Sequence, residues 1–297
     1  MSSRHIVRRG PELDLAAPAT QPGEGFRVCT VVGEEAGSVH TGFAVCELAP
    51  GGSVGRHVHS FEESVFVLEG EVVVDGPEGS SLLRPGDYGL LPVGAPHAWR
   101  ALGSRPARWA EMTAPQPRAS HGGDTFVLPA LAPGRPAPVD IRDPRTRSFG
   151  HIEPGNMEVD KQTQDMLAVS ASMRTALLVY SGITVKMMVD ADLGAQLSTM
   201  FMVQYQQSGL AGAHDHPFEE TYLILEGAVD ATFDGESYRL EVGDVAWAGV
   251  GCVHAFANPG PGIVRWLETQ APMPPARHSY RFARDWDYLH DRLSQPD

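Results

Sequence analysis

The chain has 297 residues, of which 42% are hydrophobic, and a formal charge of −14 at neutral pH. That apolar content excludes a disordered chain and the length allows two packed domains, while the acidic surplus excludes nucleic acid and anionic membrane surfaces as partners. Cys29, Cys46 and Cys252 lack paired spacing and no segment has the apolar length of a membrane span, so a disulfide scaffold, a zinc knuckle and a bilayer helix are all excluded and a reducing cytoplasm is the expected setting.

Residues 1–25 are polar and proline-dotted, and are read as an arm that packs on another module or a second subunit. From residue 26 to 117 the text alternates like strands, as in FRVCTVV and HTGFAVCELAP, with a hairpin expected to turn at Asp75-Gly76-Pro77. Within this block lie His57 and His59, two apart and therefore on one face of a strand. Glu63 follows on the next stretch, and His97 follows turns at Gly70 and Gly86. Three imidazoles and a carboxylate without a thiolate suit one divalent transition ion.

Residues 118–160 form a proline-rich crossover. Seven prolines between 115 and 144 deny the ladder its donors, so the segment is expected to drape over a barrel. Arg142, Arg145 and Arg147 within it are read as solvated loop charges, or else as a clamp for a substrate anion. A second block, 161–275, opens on LLVYSGITVKMMVDADLG and LSTMFMVQYQQSG, both strand-like. Over 276–297, Phe282, Trp286, Leu289 and Leu293 fall at helical spacing and predict a C-terminal helix, with His278 and His290 on the surface.

The second block repeats the first at a fixed offset. His57, His59, Glu63 and His97 recur as His214, His216, Glu220 and His254, each 157 positions on, and Gly70, Gly86 and Arg108-Trp109-x-Glu111 recur at the same offset. A period this long marks a duplicated domain and not a solenoid. The pattern H-x-H-x3-E-x6-G followed by G-x5-P-x-G-x2-H resembles the two cupin motifs, and both halves together resemble the bicupins. Gly249 stands where the family has proline, which Pro92 supplies in the first half, and Ala101 stands where Asn258 matches the usual end of the second motif. The resemblance implies an all-β fold of two tandem antiparallel barrels of the jelly-roll, double-stranded β-helix kind, each holding one divalent metal (Fe2+ or Mn2+, with Ni2+ or Zn2+ as alternatives), and a homodimer.

The two cavities are expected to differ. Val65 and Tyr222 share the faces of Glu63 and Glu220, so the second site gains a phenol, read either as a catalytic donor or as a core residue. Trp99 and Phe256 follow His97 and His254 by two and should line the substrate cavities; Arg56, matched by Ala213, is placed to meet an anionic substrate. Glu111 and Glu268 are read as structural partners of Arg108 and Arg265, or as general bases. A redox ion with open positions in an apolar barrel suits a dioxygenase acting on a small chelating enol, phenol or carboxylate, with Glu63 and Glu220 able to take a substrate proton. Two alternatives stand beside it: a Lewis-acid isomerase, decarboxylase or amidohydrolase of a small polar acid, and a non-catalytic module that binds a small ligand. Within the resemblance oxalate is disfavoured, since the serine-glutamate-asparagine lid motif is missing.

Overall fold

The computed structural model describes residues 4–18, 23–140, 142–158, 175–178, 182–273 and 281–282. Its centre in the first half is one 18-residue strand, Gly42–His59. The first part of that strand pairs with Ala107–Ala114 and the last part with His97–Leu102. Because a single strand belongs to both walls of the barrel, the whole first module is one eleven-stranded sheet. The chain changes wall at Gly51, whose φ of 74° is the left-handed conformation a glycine enters without a Cβ clash.

In the second half the same strand is split into Thr199–Tyr205 and Leu210–Asp215, and the sheet separates into seven and five strands. The bend survives the split. Ser208 occupies the position of Gly51 and keeps a left-handed φ of 64°, which costs a non-glycine residue about 1 kcal/mol. Ladder pairing on both sides of the bend holds it there.

The arm and the crossover exchange partners. His5–Arg8 extends the second module by pairing with Val245–Ala248, and Phe149–His151 extends the first by pairing with Asp87–Leu91. Thus the strand that precedes each module closes an edge of the other. Arg4 forks Asp234 at 2.9 and 2.8 Å, and Arg9 reaches Asp244 at 2.6 Å, so charged hydrogen bonds anchor the arm. The arm packs on the other module of its own chain.

The crossover clothes the first barrel as expected. Thr125–Val127 pairs with His59–His57, and Ala137–Pro138 runs parallel to Ser81–Leu82. Arg145 is spent on Asp143 at 2.6 Å and half-exposed, which fits the solvated-loop reading of that arginine. Two expectations change. The hairpin strands run to Gly76 and resume at Gly79, so the turn is Pro77-Glu78. Within the expected C-terminal helix, Arg281–Phe282 is a short strand against Asp215–His214, and Trp286, Leu289, Leu293, His278 and His290 lie outside the described residues.

Alternation along Gly42–His59 feeds two cores. Cys46 and Leu48 face the interior of the first barrel with Val65, Trp99 and Trp109, whereas Phe43 faces outward into a shared core with Tyr88, Met112, Met200, Met202 and Trp247. The second barrel has its own interior around Tyr222, Phe233, Phe256 and Trp266. Both faces of the central strands are therefore covered, and they read as near-continuous apolar runs.

Two buried carboxylates sew the modules together. Glu62 accepts the backbone N–H groups of Gln196 and Leu197 and the Ser198 hydroxyl at 2.6–3.0 Å. Its counterpart Glu219 accepts from Val39, His40 and Thr41 N–H and from the Ser38 hydroxyl at 2.6–3.2 Å. Each holds the loop that opens the other module's barrel. No helix among the described residues is long and apolar enough to cross a membrane.

Candidate metal centres

Register brings the distant ligands together. His57 lies opposite His97, and His214 opposite His254, where the end of one strand meets the start of another. The Glu62–Glu69 strand brings Glu63 under the imidazoles, and Glu219–Glu226 does so for Glu220. In the first centre one donor atom each from His57, His59, Glu63 and His97 lies within 4.8 Å of all the others, and all four residues are buried. Glu63 Oε2 sits 2.8 Å from His59 Nε2 and 3.3 Å from His97 Nε2. The second centre gathers His214, His216 and His254 within the same limit, with Glu220 Oε2 2.7 Å from His216 and 3.3 Å from His254.

Every imidazole is aimed by its other nitrogen. The Nδ1 atoms of His57, His59 and His97 lie 2.8–2.9 Å from the carbonyls of Gly55, Phe61 and Ala95. Those of His214, His216 and His254 lie 2.7–3.2 Å from the carbonyls of Gly212, Phe218 and Cys252. A carbonyl only accepts, so Nδ1 carries the proton and Nε2 presents its lone pair to the centre. Phe61 stacks on His59 at 4.0 Å and Phe218 on His216 at 3.9 Å, fixing the ring planes.

A set of acceptors converging in a dry interior needs a cation. His97 Nε2, His254 Nε2 and Glu63 Oε1 are buried and have no hydrogen-bond partner. Leaving such atoms unpaired costs about 1–3 kcal/mol each. A divalent ion in each centre would satisfy the atoms of that centre, and three nitrogens with an oxygen and no sulfur suit manganese, iron, nickel or zinc. Burial, with His97 beside it, pushes His57 down to about 4; burial with His254 does the same to His214. Both are thus neutral and ligand-ready at neutral pH. Burial opposes the Glu63 charge, and charged His59 and His97 rings beside it pull it below the usual carboxylate range; with both rings neutral a bound cation would supply that compensation.

The walls follow the parity of the strands. Val65 and Tyr222 are fully buried beside their glutamates, and Trp99 stacks on Trp109 at 4.9 Å. Phe256 lies 4.8 Å from Tyr222. Arg56 is half-buried at the register shift between Val54 and His57, and among the described residues no hydrogen bond joins its guanidinium to the cluster.

Glu111 and Glu268 do not pair with the adjacent arginines. Arg108 is taken by Glu47 at 2.7 Å, and Arg265 by Gln204 at 2.7 Å and Glu226 at 2.9 Å. Alternation explains this: the arginines point out of the barrel and the glutamates in. Glu111 accepts from the Trp109 indole and the Cys46 thiol, both at 3.4 Å, and Glu268 from the Trp266 indole at 2.9 Å. Burial and the Glu63 charge push Glu111 up to about 8, and burial with the Glu220 charge likewise raises Glu268 well above its ordinary value. In both halves burial therefore favours the neutral form of the carboxyl that lies behind Glu63 or Glu220.

Sequence reading also missed Gln270. Its amide donates to Glu220 Oε1, while the Tyr222 hydroxyl donates to Glu220 Oε2. The signal was present, since Thr113 occupies the matching position in the first half. A third group, His5, Asp234 and Cys252, also gathers donor atoms within 4.8 Å, but Arg4 already neutralises its carboxylate.

Two antiparallel barrels, each with inward-facing histidines and a glutamate at the meeting of its sheets, define a duplicated β-barrel protein with two candidate metal centres. A profile of the cupin domain matches residues 44–113 and 201–269, and the chain belongs to the cupin family as a bicupin. Among solved structures it is similar to Lactobacillus farciminis oxalate decarboxylase in a formate complex, with a TM-score of 0.63 and 18% identity over 98% of this chain and 94% of that one. Bacillus subtilis oxalate decarboxylase gives 0.62 and 15% over 100% and 84%. At these identities the likeness is one of fold. The chain is also 28% identical over 92 residues to the HTH-type transcriptional regulator PuuR of Escherichia coli, which is 31% of this chain and 49% of that protein. It spans about half the length of the curated relatives it matches.

Proposed function

We propose that the protein is a metal-dependent enzyme acting on a small chelating enol, phenol or carboxylate, and that its reaction is a dioxygenation. The observation that carries this reading is the commitment of every Nδ1–H to a backbone carbonyl, which leaves the Nε2 lone pairs and Glu63 converging on one point. His57, His59, Glu63 and His97 would hold the first ion, and His214, His216 and His254, with Glu220 beside them, the second. A bound Fe2+ or Mn2+ would supply open coordination positions at which a chelating substrate and dioxygen become neighbours.

The chain's own residues do the rest. The buried walls of Val65, Trp99 and Trp109 exclude water from the first centre, and Tyr222 and Phe256 do so in the second. Glu63 Oε1 is unpaired, so it is able to accept a hydrogen bond from an enol or phenol hydroxyl.

A second reading is favoured by Glu111 and Glu268. Held neutral by burial, they carry protons that a decarboxylase needs at the carbon left by carbon dioxide. The similar solved structures bear the name oxalate decarboxylase, which supports the same alternative. Oxygen uptake with a panel of enediols and phenols, run beside carbon dioxide release from small dicarboxylates, separates the two. Oxygen uptake that depends on added Fe2+ or Mn2+ and disappears in His59→Ala is the expected result. Carbon dioxide release without oxygen uptake would establish the second reading instead.

A further inference from the structure

The crossover clothes the outer face of the first barrel, and among the described residues the corresponding face of the second lies bare. In the first half the chain leaves Val127, opposite His57, crosses that face and reaches the far edge strand, where Ala137 and Pro138 run parallel to Ser81 and Leu82. The crossing is close: Arg100 donates to the Gly134 carbonyl at 3.2 Å, and a Cβ on Gly134 would meet Ser80 Oγ at 2.5 Å. Val72, Val74 and Leu83 face the barrel interior, so by alternation Val73, Ser80 and Leu82 face outward, and all three are nevertheless buried. The 157-residue repeat sets Asp230, Ser237 and Arg239 at those positions, and all three are exposed. With Leu210, Ala255 and Ala257 they line a groove of about 420 Å³. Glu236–Glu241 forms the far edge of this sheet, with no strand beyond it among the described residues. Such an edge presents unpaired N–H and C=O groups and accepts a further segment of chain.

We propose that residues 283–297 of the same chain dock along this outer face of the second barrel, as residues 128–140 cover the first. Phe282 lies opposite His214 as Val127 lies opposite His57, so the chain enters both sheets at the same point. Ten residues take the crossover from Val127 to Ala137, and fifteen follow Phe282. From that entry the far edge is four strand spacings away, about 19 Å. Fifteen residues span about 22 Å even when helical, and more when extended. The composition of the tail suits the groove. Trp286, Leu289 and Leu293 offer apolar side chains to the alanines, and Arg284, Asp285 and Asp287 offer charge to Asp230 and Arg239. The crossover's LPALAP is uncharged, as are Val73 and Leu82 on the face it covers. The docked tail would back the strands that carry His214 and His254, and its docking needs no ion in either centre.

Hydrogen exchange read by mass spectrometry, on the full-length protein and on a chain ending at Phe282, tests this. Loss of residues 283–297 should speed exchange at the open-edge amides of Glu236–Glu241 roughly tenfold or more, and leave Gly79–Leu83, the matching strand of the first barrel, unchanged. Trp286→Ser with Leu289→Ser in the full-length chain should reproduce the change, and serves where the shortened chain does not fold. A second readout needs no truncation. Trp99, Trp109, Trp247 and Trp266 are buried, so acrylamide quenching of the full-length protein, compared with Trp286→Phe, reports on Trp286, which should be shielded. Equal exchange in the full-length and altered proteins would overturn the inference, as would a Trp286 fully open to the quencher. Protection of Glu236–Glu241 that falls on dilution would overturn it too, because it assigns the face to the tail of a second copy.

Discussion

A single proton on each imidazole decides what these histidines can do. With Nδ1–H given to a carbonyl two residues away, in every case on the ligand's own strand or its adjoining turn, the ring cannot rotate or change tautomer without losing a buried hydrogen bond. The same scale yields a pH prediction at Glu111. Its folded pKa, pushed up to about 8, lies above the ordinary value of 4.5 for a glutamate free of the fold. The unfolded chain therefore releases this proton first, and stability is lost as pH rises from 4.5 toward 8. Glu111→Gln, an amide mimic of the neutral acid, escapes that loss. Relative to the unaltered protein it should gain stability steadily from pH 5 to pH 8, by on the order of 3 kcal/mol. Urea unfolding at both values checks it, and a gain that is equal at both would refute the assignment of a buried neutral acid. The histidine and glutamate quartets were legible because they recur at one offset; no metal-ligand spacing marks Gln270 or Glu62, although Thr113 and Glu219 stand at the matching positions.

Among elements, the first few residues do more than an arm ordinarily would. His5–Arg8 is hydrogen-bonded along the edge of Val245–Ala248, which in turn pairs with the strand that carries Glu220. Removing residues 1–9 would bare that edge and release Asp244 and Asp234 from their arginines. An unpaired apolar edge seeks another chain. The truncated protein is expected to melt at lower temperature and to form concentration-dependent oligomers, visible by size-exclusion chromatography with light scattering. An unchanged melting point and mass would mean that the arm contributes nothing to the second barrel. Polar, proline-dotted text gave no hint of which surface the arm would choose, because a four-residue strand of HIVR carries too little pattern to name its partner.

In the whole molecule, the two barrels share an apolar core and are cross-tied by Glu62 and Glu219, so they are expected to unfold together. Calorimetry should show one transition whose van't Hoff and calorimetric enthalpies agree. Glu219→Ala takes the carboxylate acceptor from the N–H groups of Val39, His40 and Thr41, while the Ser38 hydroxyl keeps the Thr41 carbonyl, and should cost about 3 kcal/mol, at about 1–3 kcal/mol for each donor left buried. Two resolved transitions in the unaltered protein would show that the barrels are independent. By itself the sequence determined the duplication, the β class, the eight histidines and glutamates that recur at one offset and the phenol beside one of them, because repeats and two-residue alternation are written locally along a strand. Only the tertiary structure decided that the arm completes the far barrel, that Glu62 and Glu219 bind across the interface, that Glu111 and Glu268 turn inward to the Trp109 and Trp266 indoles, and that Glu220 accepts a hydrogen bond on each oxygen where Glu63 Oε1 has none. Those facts depend on which buried donors reach which acceptors across distant strands, and such pairings are set by packing in three dimensions, which no spacing along the chain records.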